Sequence, residues 1–352
     1  MKWRLTIWPA VLVLLLVSFA LFRNASRPPH KQAADTRREA GNYISLTETI
    51  MAAPITVVVP EKDAARAGQL VFDIFRRIDA QMSEWKPTSP LSEVNQAAGR
   101  HAVAVPADVR AVIRRGMEMG RRTEGAFDIT WAALWGLWDF NAVEPRLPEE
   151  QQISRRVELV DYRRVLLDED AGTVFLPRRG MMIGLGGIAK GHALDQAAVA
   201  LNHRGITSFL ISAGGQTMLG GLRDRRPWRV GIRDPRAGPD EYFAHLAGTD
   251  VSVATSGDYE RYFILDGVWY HHILDPRTGR PTHGVRSATV VAADATLADA
   301  LSTSLMVLGI ERGLGLIEQI AEVEAVLVDD DAKVHVTSGL AETLHLDRLP
   351  TP

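Results

Sequence analysis

The sequence predicts an α+β body behind an N-terminal membrane segment, and three observations predict it. Short β-branched runs bounded by turn residues recur along the chain, Ile55–Val59 and Val323–Val328 among them. Amphipathic stretches at helical spacing lie between them, the clearest from Asp63 to Met82 with apolar Ala67, Leu70, Val71, Ile74, Ile78 and Met82 on one face. Ahead of both, Met1-Lys-Trp-Arg4 is followed by an 18-residue run without a charge, Leu5 to Phe22. A run of about 18 is long enough for a membrane helix and longer than the roughly 7–15 apolar residues of a cleaved signal peptide. An uncleaved signal-anchor over residues 1–22 is therefore favoured, with a cleaved signal peptide as the alternative; either exports the rest of the chain.

The remaining elements follow in order. Residues 23–42 are rich in Arg, Lys, Pro and Ala and are expected to be a linker; the body is expected over 43–347. Ile44–Met51 and Ile55–Val59 predict two strands, and Pro106–Thr123 a helix. Trp131–Trp138 carries three indoles in eight residues, a cleft wall or core. Pro145–Gln152 is polar and predicts a loop. Strands are expected at Val157–Asp161, Val165–Leu167 and Thr173–Leu176. Ser208–Gly215 predicts a strand entering a glycine corner, Trp228–Ile232 and Val251–Ala254 further strands, and Arg233–Arg236 a turn. Ser287–Ala292 predicts a strand and Thr296–Leu308 a helix, before a closing hairpin of Val323–Val328 and Lys333–Val336 around the acidic turn Asp329–Asp331.

The chemistry centres on Met181–Asp195. An apolar strand-like run, Met181–Ile183, meets Gly184, Gly186 and Gly187, then Lys190, Gly191 and a helical run from His192 to His203. Glycines let a backbone approach a ligand or adopt positive φ, and a helix start with a lysine suits a phosphate. The plain alternative is a glycine-rich corner with a surface lysine. It is not a Walker loop, because no Gly-Lys-Ser/Thr follows the required gap. It also lacks the acid that a dinucleotide fold places at the end of the next strand, since Thr207–Ser212 carries none. A net charge of −3 gives no basic excess for nucleic acid, and the absence of cysteine excludes disulfides, thiolate metal sites and a cysteine nucleophile.

Gly186–Asp195 resembles the Gly-(Ala/Gly)-Ile-Ala-Lys-Gly-(Tyr/His)-Ala-x-Asp block of the ApbE-type FAD:protein FMN transferases. Further blocks are similar in the same order from about Met51 to about Gly309. Ser83–Ser89 with Asn95 resembles a block that helps hold FAD, with Trp85 available to cover an aromatic face and Lys86 beside it. Gly125–Thr130 resembles another, whose Asp128 would sit beside the nucleotide; from position alone Asp128 serves equally as a helix N-cap. Thr255–Tyr259 and His271–Pro281 complete the set. The resemblance implies an ApbE-like fold of two interleaved αβ lobes with the cleft between them. It implies nucleotide contacts at Met51, Trp85, Lys86, Asp128, Gly184, Gly186, Lys190, Thr255 and Leu274. It places metal ligands at the Gly187 carbonyl, Asp299, Ser302 and Thr303, a hard-oxygen set suited to Mg²⁺, with Mn²⁺ as the alternative. Lys190 would be the fixed cation and His272 the proton acceptor.

The chain departs from the family pattern at Met51-Ala-Ala53, where Gly-Thr is usual after Met, at Gly184 and Gln216, where acids or Asn are usual, and at Ser302, where some relatives have Asp. The function implied is Mg²⁺-dependent cleavage of FAD with transfer of FMN to a Thr or Ser of an exported or membrane acceptor protein, releasing AMP. An FAD pyrophosphatase and a non-catalytic FAD-binding protein are the alternatives.

Overall fold

The computed structural model describes residues 35–341 and 344–352; the membrane segment expected over residues 1–22 lies outside them. The frame is a nine-stranded sheet whose spatial order is its chain order. Its strands are β1 (Asp35–Glu39), β2 (Tyr43–Ile50), β3 (Ala53–Pro60), β4 (Phe209–Ala213), β5 (Gln216–Gly220), β6 (Ser252–Gly257), β7 (Val285–Ala292), β8 (Val323–Asp329) and β9 (Val334–Val336). The registers from β2 to β9 are all antiparallel. All other elements are inserted between neighbours of this meander except a C-terminal segment that follows β9. Helices α1 (Ala64–Met82), α2 (Pro90–Gln96), α3 (Ala107–Arg122), α4 (Glu150–Val157) and α5 (Ala189–His203) separate β3 from β4, and α6 (Ala295–Ile317) separates β7 from β8.

The sheet is buried on both faces, so its strands carry apolar residues on both sides of the pleat. Helices α1, α5 and α6 cover one face. A hairpin of Trp228–Arg233 and Tyr242–Gly248 covers the other, where Ile232, Phe243 and Leu246 pack on Val326 and Val328. Trp228 closes that layer against Tyr43, Val58 and Leu219. Two tight turns project from one end of the sheet. Met51 and Ala52 join β2 to β3 at φ 55° and 57°, and Gly214 and Gly215 join β4 to β5 at 51° and 84°. Positive φ at both central residues matches the twist of the paired strands.

Several expectations need correction. Residues 36–352 cluster as one compact unit around one continuous sheet, so the two lobes are not separate bodies. β1 falls inside the stretch expected to be linker, and Thr351 is tied down by bonds of 2.9 Å from its N–H and hydroxyl to Asp234, so the packed body outruns 43–347 at both ends. The loop expected at 145–152 ends in α4, where the side-chain oxygen of Gln152 accepts the Glu149 N–H; only Ile153 of this helix is buried, too little for a periodic signal. Val157–Asp161 is the end of α4 and a turn rather than a strand. Met181–Ile183 is extended but joins no sheet. Its ladder partner is a side chain: the Asn95 amide accepts Ile183 N–H at 2.7 Å and donates to Ile183 O at 2.9 Å.

Candidate active site

Helix α5 begins at Ala189, so Lys190 lies in its first turn rather than in the preceding loop. Gly184, Gly186, Gly187 and Gly191 all lie outside the positive-φ region, against the expectation that this corner needs it. These glycines serve by being small. A Cβ at Gly191 would stand 2.3 Å from the Ala295 carbonyl oxygen and 2.7 Å from Thr296 Cα, which lets α5 cross the start of α6 in backbone contact. A Cβ at Gly187 would lie 3.4 Å from Thr303 Oγ1 and from the Phe127 ring. The glycine corner and the hydroxyl of α6 are therefore neighbours, although 116 positions separate residues 187 and 303.

Asp195 holds that crossing. Its carboxylate accepts Ala295 N–H at 2.8 Å, Thr296 N–H at 2.9 Å and the Thr296 hydroxyl, and so caps α6 from the side of α5. Gln216 reaches the same turn, donating to Ala295 O at 2.7 Å and Ser252 Oγ at 3.1 Å. Burial raises the Asp195 carboxyl to about 6, helped by the neighbouring Asp294 and opposed by its Thr296 and Ala295 bonds. Asp195 closes the motif quoted above, but nothing in the sequence assigned it this duty.

Clamped in this way, α6 turns Asp299 inward. The carboxylate is fully buried and accepts Gly191 N–H at 3.0 Å; burial raises it, against the pull of the Lys190 charge and that N–H. Ser302 Oγ donates to Asp299 O at 2.9 Å and lies 2.9 Å from Ser256 Oγ, which is also 3.3 Å from Thr303 Oγ1. Asp299 thus meets Gly191 and Thr303 meets Gly187, with Ser302 joined to them through Ser256 and the Asp299 carbonyl. A buried carboxylate with a single N–H partner and a cluster of hydroxyls fits a hard divalent cation.

The anion seat is less open than a free helix start. Leu185 O accepts Ile188 N–H at 3.0 Å and Ala189 N–H at 2.9 Å, and Gly191 N–H is taken by Asp299. Attraction for phosphate falls to Lys190 and the helix dipole. Lys190 Nζ donates to Gly186 O at 3.1 Å. Gly214 brings the two sheet turns alongside: a Cβ there would meet Ala53 at 2.9 Å and Lys190 Cδ at 3.9 Å. Met51 lies in the first of these two turns, two positions before Ala53. Glu84, which the sequence reading passed over, enters from the other side. Burial raises its carboxyl, against its own N–H, Lys190 and Leu185 N–H.

His272 lies within reach of the Lys190 charge. Its Nδ1 is buried without a protein partner, and burial, together with the charges of Arg261 and Lys190 and neighbouring His271, lowers its pKa to about 4. Trp85 is 62% exposed, its ring against Trp135, an indole face open to a ligand; Lys86 pairs with Asp79 at 2.5 Å.

The remaining expected contact residues have protein partners of their own. Asp128 is the cap its position allowed: one oxygen accepts Thr130 N–H at 2.7 Å and the Thr130 hydroxyl at 2.6 Å, the other Tyr162 N–H at 2.9 Å. Thr255 bonds Thr289 Oγ1 at 2.9 Å, and strand alternation turns it away from α6. Its neighbour Ser256 is the hydroxyl on the helix side. Leu274, whose backbone rather than side chain the resemblance sets beside the nucleotide, packs its side chain into the apolar cluster of Trp138, Ile153 and Phe263. At Gly184 a side chain would meet Trp131 and Ala132 at 3.0 Å, and Trp131 Nε1 donates to Gly184 O at 3.0 Å. Trp131 fills the space that a larger residue would take, so position 184 offers no side-chain contact.

The sequence profile of the ApbE family matches residues 51–327. The FAD:protein FMN transferase of Treponema pallidum is 31% identical over 302 residues, covering 82% of this chain and 83% of that protein. That of Vibrio cholerae is 34% identical over 272 residues, covering 76% and 81%. Among solved structures, the ApbE protein of Thermotoga maritima superposes with a TM-score of 0.78 at 31% identity, covering 85% of this chain and 98% of that one. The flavin transferase ApbE from Vibrio cholerae superposes with 0.76 at 28% identity, covering 88% and 99%.

Proposed function

This chain belongs to the ApbE family and is a transferase, and we propose that it moves FMN from FAD to a Thr or Ser hydroxyl of an acceptor protein, releasing AMP. The observation that carries this reading is the meeting of Asp299, Ser302 and Thr303 with the Gly186–Gly191 corner, beside Lys190 and His272. Asp299, the Thr303 hydroxyl and the Gly187 carbonyl would hold Mg²⁺, and Ser302 would orient Asp299 and Ser256. When bound, such an ion neutralises charge that develops on a transferring phosphoryl group.

The chain's own residues supply the rest. Lys190 fixes the diphosphate over the corner. Trp85 and the Met51 turn flank the flavin nucleotide. The acceptor oxygen forms a bond to the FMN phosphorus as the bond to the AMP oxygen breaks. His272, neutral at physiological pH, takes the acceptor proton; the nearby diphosphate raises its basicity when FAD is bound. We place the acceptor on the exported side of the inner membrane, because the uncharged run Leu5–Phe22 would anchor this body there.

The test is mass spectrometry of a co-expressed acceptor. Wild type adds an FMN mass to threonine or serine, and Asp299→Ala abolishes it. Undiminished transfer in excess chelator overturns the metal. Brisk AMP release from FAD and Mg²⁺ without acceptor assigns the chain to hydrolysis instead, and tight FAD retention with no AMP under any metal makes it a binding protein.

A further inference from the structure

A second cluster lies on the opposite face of the sheet, far in sequence from the corner. Strand Tyr242–Gly248 of the outer hairpin pairs with a short strand, His345–Leu346, so that His245 stands directly opposite His345. Side chains of directly paired residues share a face, as do those two apart on one strand. His345 and Asp347 therefore project alongside His245. The imidazole rings are 4.4 Å apart, and His245 Nδ1 lies 2.9 Å from Asp347 Oδ2. Among the described residues, these three form the one group of His, Cys or carboxylate side chains whose ligand atoms lie within 4.8 Å of one another.

We propose that His245, His345 and Asp347 bind a borderline transition-metal ion, with Zn²⁺ as its representative, and that the ion staples the C-terminal strand to the hairpin. Two imidazole nitrogens and one carboxylate oxygen are a zinc-type donor set, with a fourth, tetrahedral position left to water. Mg²⁺ prefers all-oxygen ligands, so this set is distinct in chemistry from the one on α6. The staple has a place to act. The C-terminal strand is held by two paired positions and by Asp347 and Arg348 N–H donating to Phe243 O at 2.9 and 3.2 Å.

One neighbour opposes the ion. Arg229 Nη2 sits 2.6 Å from His245 Nε2, so that nitrogen accepts while Nδ1–H donates to Asp347. A metal at Nδ1 requires the ring's one hydrogen to move from Nδ1 to Nε2, a tautomer exchange with no net proton loss from the ring, and Nε2 then has no lone pair for a guanidinium. Arg229 is exposed and turns outward.

Calorimetric titration of the chelator-treated protein with Zn²⁺ tests this. Wild type takes up a single ion. His345→Ala and Asp347→Asn each weaken it by more than the ~10–100-fold that loss of an outer-shell partner costs. Arg229→Gln tightens it, because a glutamine oxygen accepts from Nε2–H. Hydrogen exchange at residues 344–352 slows with Zn²⁺ in wild type and not in Asp347→Asn, whose amide keeps the local shape. An unchanged isotherm in the His345→Ala, Asp347→Asn double variant overturns the site, as does a zinc signal that persists there and vanishes with Asp299→Ala.

Discussion

His272 and Asp195 are both buried ionisable groups near the corner, and burial pushes them in opposite directions. The imidazole falls from 6.5 to about 4, and the carboxyl rises from 3.8 to about 6. The unfolded chain protonates His272 first, so its contribution is full above pH 6.5 and is lost as pH falls toward 4, by up to about 3 kcal/mol. The folded chain protonates Asp195 first, so its contribution is full below pH 3.8 and is lost as pH rises through 6. The two largely offset each other between pH 4 and 6.5. His272→Gln leaves Asp195 unopposed, so its urea midpoint, relative to wild type, rises on acidification through that window. Asp195→Asn shows the reverse. In the free enzyme the His272 limb of kcat/KM falls only near pH 4, well below an ordinary histidine; a limb at 6.5 that survives in His272→Gln removes the residue from proton transfer.

The element that matters is the crossing of α5 and α6, because it alone carries Asp299 to the corner. Gly191 leaves no room for a side chain, with the Ala295 carbonyl 2.3 Å from where a Cβ would sit. Backbone cannot yield as a flexible side chain can. Gly191→Ala is therefore expected to destabilise the fold by about 1–3 kcal/mol, as overpacking does. It should also lose most flavin transfer at temperatures where circular dichroism shows it folded, since the helices must part. Full activity in the folded variant would show that the crossing is not needed. Helix α6 also explains why its polar residues escape solvent. Its N-terminal half is buried nearly all round, and the helix breaks at Gly309 (φ 78°), the residue after the expected end at Leu308. By length and a mean hydropathy of 1.4 it would pass for a membrane span, yet it packs on β6 and β7 and carries Asp299 inward.

At the scale of the molecule, the candidate site and the outer hairpin lie on opposite faces of one sheet. The helix face and the sheet turns form the site. The outer hairpin adds a second apolar layer, anchored by Trp228, which is 2% exposed with its Nε1 donating to Gly220 O at 3.0 Å. Trp228→Ala should cost about 3–5 kcal/mol, as loss of a buried aromatic does. Transfer per folded molecule should survive below the lowered Tm. A fall in folded-state activity matching that of Asp299→Ala would instead mean that the hairpin shapes the site.

The sequence by itself determined the local elements and the chemical inventory. The apolar spacing of Asp63–Met82, the β-branched run of β3 and the glycines at 214 and 215 act through contacts within a few residues, so they are legible in order along the chain. Lys190, His272, Asp299 and Thr303 were legible because the residues around them resemble the blocks of the family, not because their types or spacing alone singled them out. Tertiary structure alone decided which of them meet. It gave Asp195 a capping role on a helix 100 positions away, turned Ser256 rather than Thr255 to the helix side, and tied Asp128 to the Tyr162 N–H as well as to its own turn. It also replaced a strand at 181–183 with a pairing to Asn95. These outcomes depend on contacts between distant segments and on the side of a pleat, and neither leaves a periodic trace in sequence.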